Sequence, residues 1–150
     1  GSKEFVTNFV GGFADGLVSF LPAVVFLIGC VIAFATGTSW GTFGILIPIV
    51  VSIFSKDKEM MVIAMSACMA GAVCGDHCSP TIMASAGAQS NHINHVQTQL
   101  PYAMTVAAVS FVGYVIAGFV RNVFIALPVA LAMMIAVLAV LVKIYGKESE

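Results

Sequence analysis

The chain has 150 residues, of which 60% are hydrophobic and 9% charged, and its mean hydropathy is +1.05. Soluble domains carry about 25% charged residues, so this composition excludes a soluble globular protein and indicates an integral membrane protein. The net charge of −1 excludes nucleic-acid binding, because no basic surface is available to neutralise phosphates.

The first part of the chain predicts an entry into the membrane followed by a span. Residues 1–17 are glycine-rich and weakly amphipathic, which is typical of an interfacial lead-in or of the end of a helix whose start lies outside this chain. Residues 18–142 form the predicted transmembrane region, and residues 143–150 form a C-terminal tail. Val18–Ala35 is continuously apolar and predicts the first transmembrane helix, with Pro22 in its first turns, where proline is tolerated.

The next segments are apolar but short. Thr36–Thr42 reads TGTSWGT, and its glycines and hydroxyl residues predict a break in the helix. Phe43–Phe54 is then too short to cross a bilayer alone, and Met60–Cys74 is a second short run after the charged turn Lys56–Glu59. Short apolar runs separated by glycine-rich polar sequence favour discontinuous or re-entrant helices.

Two ordinary spans complete the predicted region, Leu100–Val120 and Asn122–Val142. Pro101 is placed in the first helical turn. The polar residues before Leu100, which include His92 and His95, predict a polar loop or an amphipathic surface. Lysines after the last span predict a cytoplasmic C-terminus by the positive-inside rule.

Asp76 is the residue that most directly predicts a function. A carboxylate at bilayer depth costs about 2.5–3.5 kcal/mol, so such residues are rare and usually functional. Asp76 can hold either a proton or a cation, which is the elementary chemistry of cation–proton exchange. The carbonyls and hydroxyls of a broken helix suit a hard cation such as Na⁺. The alternative is a carboxylate that only caps a helix at the membrane interface.

We therefore predict that Thr36–Thr42 and Gly75–Pro80 lie close together near the middle of the membrane. Neither segment alone has enough ligands for a cation. The candidate sodium and proton ligands are Asp76, Thr36, Thr38, Ser39, Thr42 and Ser79, accompanied by Gly37, Trp40, Gly41, Gly75, His77 and Pro80.

Cysteine and histidine side chains offer a different interpretation. Zinc ligands can be sought among Cys74, His77, Cys78, His92 and His95, although the spacing does not match common zinc signatures. The four cysteines are more simply small buried residues that tolerate close helix packing. A disulfide between Cys74 and Cys78 is not expected, because a local helix holds them near the upper limit of bridging distance.

At TGTSWGT and GDHCSP the chain resembles the NhaC family of sodium/proton antiporters. The resemblance extends through Ile32–Thr42, Ala70–Pro80 and His92–Tyr102, and it implies the C-terminal half of an inverted-repeat transporter in the ion-transporter superfamily. Family members usually continue after Ser-Pro with a short stretch that contains Ser-Asp-Thr. Here Thr81 follows Pro80 directly, so the resemblance implies that this acidic stretch is missing.

Together these features predict an all-α integral membrane fragment of a secondary transporter that exchanges sodium for protons across the cell inner membrane. No enzymatic activity and no cofactor are expected; sodium is a transported substrate, and the partners are the lipid bilayer and a missing N-terminal half or a second copy. The alternatives are a proton- or sodium-coupled exchanger of organic acids or amino acids, a non-transporting fragment that needs a missing half, and an intramembrane metal-dependent enzyme.

Overall fold

A computed structural model describes residues 15–79, 87, 89 and 91–145 of the chain. This part is all-α, as predicted. Most of the lead-in, Pro80 with the junction that follows it, and residues 146–150 lie outside the described residues. The helices are α1 (Asp15–Thr36), α2 (Ser39–Ile53), α3 (Lys58–Cys78), α4 (His92–Val120) and α5 (Val123–Tyr145).

Four of these helices, α1, α3, α4 and α5, are long and apolar enough to cross a membrane. Helix α2 has 15 residues and is too short to do so. The predicted break and the predicted short helix are therefore both present. The interpretation of Met60–Cys74 as a short run is wrong, because α3 continues as regular helix through the polar residues Gly75–Cys78 and reaches 21 residues.

Helix α4 also differs from the prediction. It begins at His92, eight residues before the predicted start, so the polar residues before Leu100 are helical rather than a loop. The Oδ1 of Asn91 accepts a hydrogen bond from the N–H of Ile93 (3.1 Å) and caps this end. Pro101 consequently lies inside the helix instead of in its first turn.

Helices α1 and α3 pack backbone to backbone. A Cβ at Gly71 would overlap the carbonyl of Phe26, and a Cβ at Gly75 would overlap the carbonyl of Cys30. Small residues at four-residue spacing allow this close approach in membrane helices. Because contacts advance in the same direction along both helices, α1 and α3 run parallel, and they end at the same end of the bundle.

Helix α4 packs against this pair in the opposite direction. Its Gly118 lies against the carbonyl of Ser19, and the rings of Phe20 and Phe119 stack edge to face at 5.1 Å. Helix α2 folds back beside α1 and buries its apolar face on the first half of α3. The buried cluster between α2 and α3 contains Leu46, Val50, Phe54, Met60, Ala64 and Cys68. Helix α5 packs on α4.

Candidate ion site at the break between α1 and α2

The break between α1 and α2 is two residues long. Gly37 adopts a left-handed conformation (φ 66°) and donates its N–H to the carbonyl of Ala33 (2.8 Å), which ends α1. Glycine reaches this conformation without the steric cost that a Cβ would add. Thr38 is the N-cap of α2, and its Oγ1 accepts a hydrogen bond from the N–H of Gly41 (3.3 Å). The chain therefore reverses while both helix ends keep capping partners.

Asp76 joins the two predicted segments. Its Oδ2 accepts a hydrogen bond from the backbone N–H of Ser39, the first residue of α2, at 3.2 Å. The prediction that Thr36–Thr42 and the end of α3 lie close together is confirmed by this bond. The N–H groups at a helix N-terminus carry a partial positive charge, so this position suits a carboxylate oxygen as a hydrogen-bond acceptor. Asp76 is half-buried, with one further oxygen and several lone pairs available.

The hydroxyl groups of the break already serve as local helix caps. Thr36 Oγ1 donates to the carbonyl of Ile32 (2.8 Å), and Thr42 Oγ1 donates to the carbonyl of Thr38 (2.9 Å). A hydroxyl that donates its proton still has lone pairs to offer a cation. Thr42, however, is 1% exposed and lies in the packed interior. Thr36, Thr38 and Ser39 are the more accessible members of the predicted ligand set.

The remaining predicted residues at the end of α3 have different surroundings. Gly75 is buried against Cys30, whereas His77 is exposed. Ser79 is the C-cap of α3; it is buried, and its N–H donates to the carbonyl of Asp76 at 3.0 Å. The backbone and the side chain of Asp76 thus hold two helix ends at once.

The lengths of α1 and α3 bear on the depth of this junction. At about 1.5 Å per residue, a helix of this size crosses the hydrocarbon core, so its end lies toward one membrane face. Trp40 is 82% exposed at the start of α2, a position typical of the aromatic belt at the interface. These observations favour one end of the bundle over its centre, and the predicted mid-membrane depth stays a prediction.

No group of three or more histidine, cysteine, aspartate or glutamate side chains among the described residues is placed to hold a metal ion. The side chain of His92, one member of the zinc set considered above, lies outside the described part. The thiols of Cys30 and Cys74 approach each other across α1 and α3, and all four cysteines are free. The sequence did not indicate that Cys30 lies beside the end of α3.

Chemically, the junction can hold one positive charge beside a fixed carboxylate. The C-terminal end of α1 presents carbonyl oxygens, and the carboxylate of Asp76 can supply a negative charge. The more accessible hydroxyl groups of the break are those of Thr36, Thr38 and Ser39. Backbone carbonyls of interrupted helices are the groups that coordinate Na⁺ or protons in secondary transporters.

Comparison with known proteins places these motifs in a family. The sequence model of the Na+/H+ antiporter family matches residues 1–119. The chain is also 51% identical over 120 residues to a protein of Haemophilus influenzae named "Uncharacterized protein", and the match covers 73% of this chain and 23% of that relative. The chain therefore spans less than a quarter of that relative's length. No solved structure matches the chain. Because the family match covers more than half of its residues, the chain belongs to the Na+/H+ antiporter family.

Proposed function

We propose that this chain is part of a secondary transporter that exchanges sodium ions for protons, with Asp76 as the group that holds either one. The hydrogen bond from the N–H of Ser39 to Asp76 Oδ2 is the observation that carries this proposal. It fixes the carboxylate at the break in the helix, where carbonyls and hydroxyls that can complete a cation site are also found. Thr36, Thr38 and Ser39 are the proposed oxygen ligands beside it.

The same hydrogen bond weighs against the main alternative, an exchanger of organic acids or amino acids. In transporters with broken helices, half-helix N-termini bind the anionic groups of such substrates. At the described end of α2 this position is occupied by the protein's own carboxylate. A mobile ion that approaches the junction therefore meets a fixed negative charge, which favours a cation over an anion.

The proposal extends to the setting of the protein. The transporter is placed in the cell inner membrane with the C-terminus on the cytoplasmic side, because Lys143 in the last turn of α5 and Lys147 follow the last apolar span. It has no enzymatic activity and uses no cofactor. Because the chain spans so little of its relative, we propose that exchange needs further transporter segments, either another half or a second copy of this chain.

Asp76→Asn tests the role of the carboxylate in the complete transporter. Asparagine keeps an oxygen that can accept from the N–H of Ser39, but it cannot take up and release a proton. Sodium-driven pH change in proteoliposomes should therefore be abolished, while thermal stability is retained because an insertion-costly charge is removed. Asp76→Glu should keep partial exchange with an altered apparent sodium affinity.

Asp57→Asn is the matched control, since it makes the same chemical change at the opposite end of α3. Asp57 caps α3 and pairs with Arg121, away from the junction. Its substitution should leave exchange near the wild-type rate. Wild-type exchange by Asp76→Asn would assign Asp76 a structural role and move the ion site elsewhere.

Reconstitution of these 150 residues alone tests the need for further segments. Little or no sodium/proton exchange is expected, because the described bundle leaves the Asp76 carboxylate partly exposed and does not enclose the site. Robust exchange from the chain by itself, for example as a homodimer, would show that no other half is needed.

A further inference from the structure

Helices α1 and α3 come closest next to the candidate ion site. The Cα of Cys30 lies 2.8 Å from the position that a Cβ on Gly75 would occupy. This places the Cα atoms of Cys30 and Gly75 within about 4.3 Å of each other, since the added bond is about 1.5 Å long. Cys74 precedes Gly75, and consecutive Cα atoms are about 3.8 Å apart. Cys30 and Cys74 are thus neighbours across the helix interface.

The thiol groups of these two cysteines also converge. The side chain of Cys30 interacts with that of Cys74 across the two helices, and the side chain of Cys74 also interacts with that of Cys78. All three are reduced and partly exposed. Cys68, by contrast, is fully buried in the cluster between α2 and α3. The chain therefore contains a thiol cluster, Cys30, Cys74 and Cys78, and a separate cysteine that can serve as a control.

We propose that Cys30 and Cys74 form an oxidation site whose disulfide ties α1 to α3 beside Asp76. A disulfide needs Cα atoms about 4.4–6.8 Å apart and Cβ atoms about 3.5–4.5 Å apart. Cys74 and Cys78 are four residues apart on one helix, where Cβ atoms are separated by about 5–6 Å. That separation exceeds the Cβ range that a disulfide needs, so the partner that we propose for Cys74 is Cys30 on the neighbouring helix.

The reaction is a two-electron oxidation. The two thiols lose two protons and two electrons, one S–S bond forms, and a diazenedicarboxamide oxidant takes up both protons and both electrons to become the corresponding hydrazine. The bond links α3, whose last turn holds Asp76, to α1, whose end leads through Gly37 and Thr38 to Ser39. It therefore restricts relative movement at the junction. This effect on transport rests on the proposed function, whereas formation of the cross-link does not.

The cross-link is tested by treating membranes that contain the protein with the diazenedicarboxamide, alkylating the remaining thiols and mapping the peptides by mass spectrometry. The wild type should lose two free thiols per chain, with the Cys30 and Cys74 peptides joined, and dithiothreitol should restore both. Cys68→Ser and Cys78→Ser should still form the bond. Cys30→Ser and Cys74→Ser should not.

Three results would overturn the site: no thiol loss in the wild type, a Cys74–Cys78 bond that persists in Cys30→Ser, or a bond between two chains on a non-reducing gel. Exchange is then measured on the oxidised complete transporter that contains this chain, because these 150 residues alone are not expected to exchange ions. Sodium-driven pH change should fall to the level of protein-free vesicles, recover with dithiothreitol, and be insensitive to the oxidant in Cys30→Ser. Unchanged exchange by fully cross-linked protein would overturn the effect on transport, and lack of exchange before oxidation would instead count against the proposed function.

Discussion

Replacing Gly75 by alanine should separate α1 from α3 and disturb the candidate site at the same time. The new Cβ would overlap the carbonyl of Cys30 and lie 2.8 Å from its Cα, where ordinary contact begins at 3.4 Å. The obstacle is backbone, so it cannot be relieved by a side-chain rotamer. The two helices must therefore move apart by several tenths of an ångström or more.

The energetic cost can be worked from two opposing effects. Alanine is favoured over glycine in a helix by about 1 kcal/mol, whereas overpacking a tight interface costs about 1–3 kcal/mol. A backbone obstacle places this substitution at the upper end of that range, so we expect a net loss of about 1–2 kcal/mol. The hydrogen bond between Ser39 and Asp76 Oδ2 is already 3.2 Å long, and the same displacement would weaken or break it.

Gly44→Ala is the matched control. A Cβ at Gly44 meets no atom within 4 Å, and the residue is likewise in a helix of the bundle. That variant should be as stable as the wild type or slightly more stable, because it gains helix propensity without a clash. Thermal unfolding in detergent measures the loss of stability. Sodium-driven pH change, measured with the complete transporter in proteoliposomes below the unfolding midpoint of Gly75→Ala, then separates loss of transport from loss of fold.

Equal stability and equal exchange for Gly75→Ala and Gly44→Ala would refute the reasoning, because the close approach of α1 and α3 would then not hold in the protein. A destabilised Gly75→Ala variant with full exchange would retain the packing argument, but it would show that the Ser39–Asp76 bond is not needed for transport.

Two further contacts give predictions with smaller effects. The ion pair between Arg121 and Asp57 (3.1 Å) is partly exposed, so Arg121→Gln should cost about 0.2–1 kcal/mol, and less at high salt. Asp57→Ala should cost more, by about 0.5–2 kcal/mol, because it also removes the cap that accepts from the N–H of Met60. Equal losses for Asp57→Ala and Asp57→Asn in thermal unfolding would contradict the capping role. A double-mutant cycle of Ser66→Ala and Tyr114→Phe should give a coupling of about 0.6 kcal/mol for their 3.0 Å hydrogen bond; zero coupling would show that the bond does not persist in the membrane.

The helix break at Thr36–Thr42 and the involvement of Asp76 could be predicted because their sequence signals are local. Glycine and hydroxyl residues in an apolar region oppose a continuous helix, and a carboxylate in such a region requires a partner. The sequence also contains a capping signal at Thr38, a threonine directly before a helix. It was interpreted as a cation ligand alone, although the structure uses its Oγ1 as the N-cap of α2.

The start of α4 and the packing of α1 could not be predicted in the same way. Polar residues such as Asn94 and Gln97 have no apolar periodicity, so their helix is apparent only from the cap at Asn91. Gly71 and Gly75 are four residues apart and indicate a close helix contact. The helix that they contact depends on how segments far apart in the sequence align when they pack. A single sequence does not show that alignment. The proximity of Cys30 to Cys74 follows from it and was missed for the same reason.

The polarity of the two helix ends explains why one carboxylate is placed between them. The end of α1 presents carbonyl oxygens and attracts cations, whereas the start of α2 presents N–H groups and repels them. An uncompensated break would therefore offer a cation as much repulsion as attraction. Asp76 accepts from the N–H of Ser39 and so neutralises the repelling end, while the attracting end stays available. We propose that a proton bound at Asp76 removes this compensation, so that the start of α2 again repels the cation. Under the proposed function, proton and cation would therefore compete through the helix ends as well as through the carboxylate, as exchange at a single site requires.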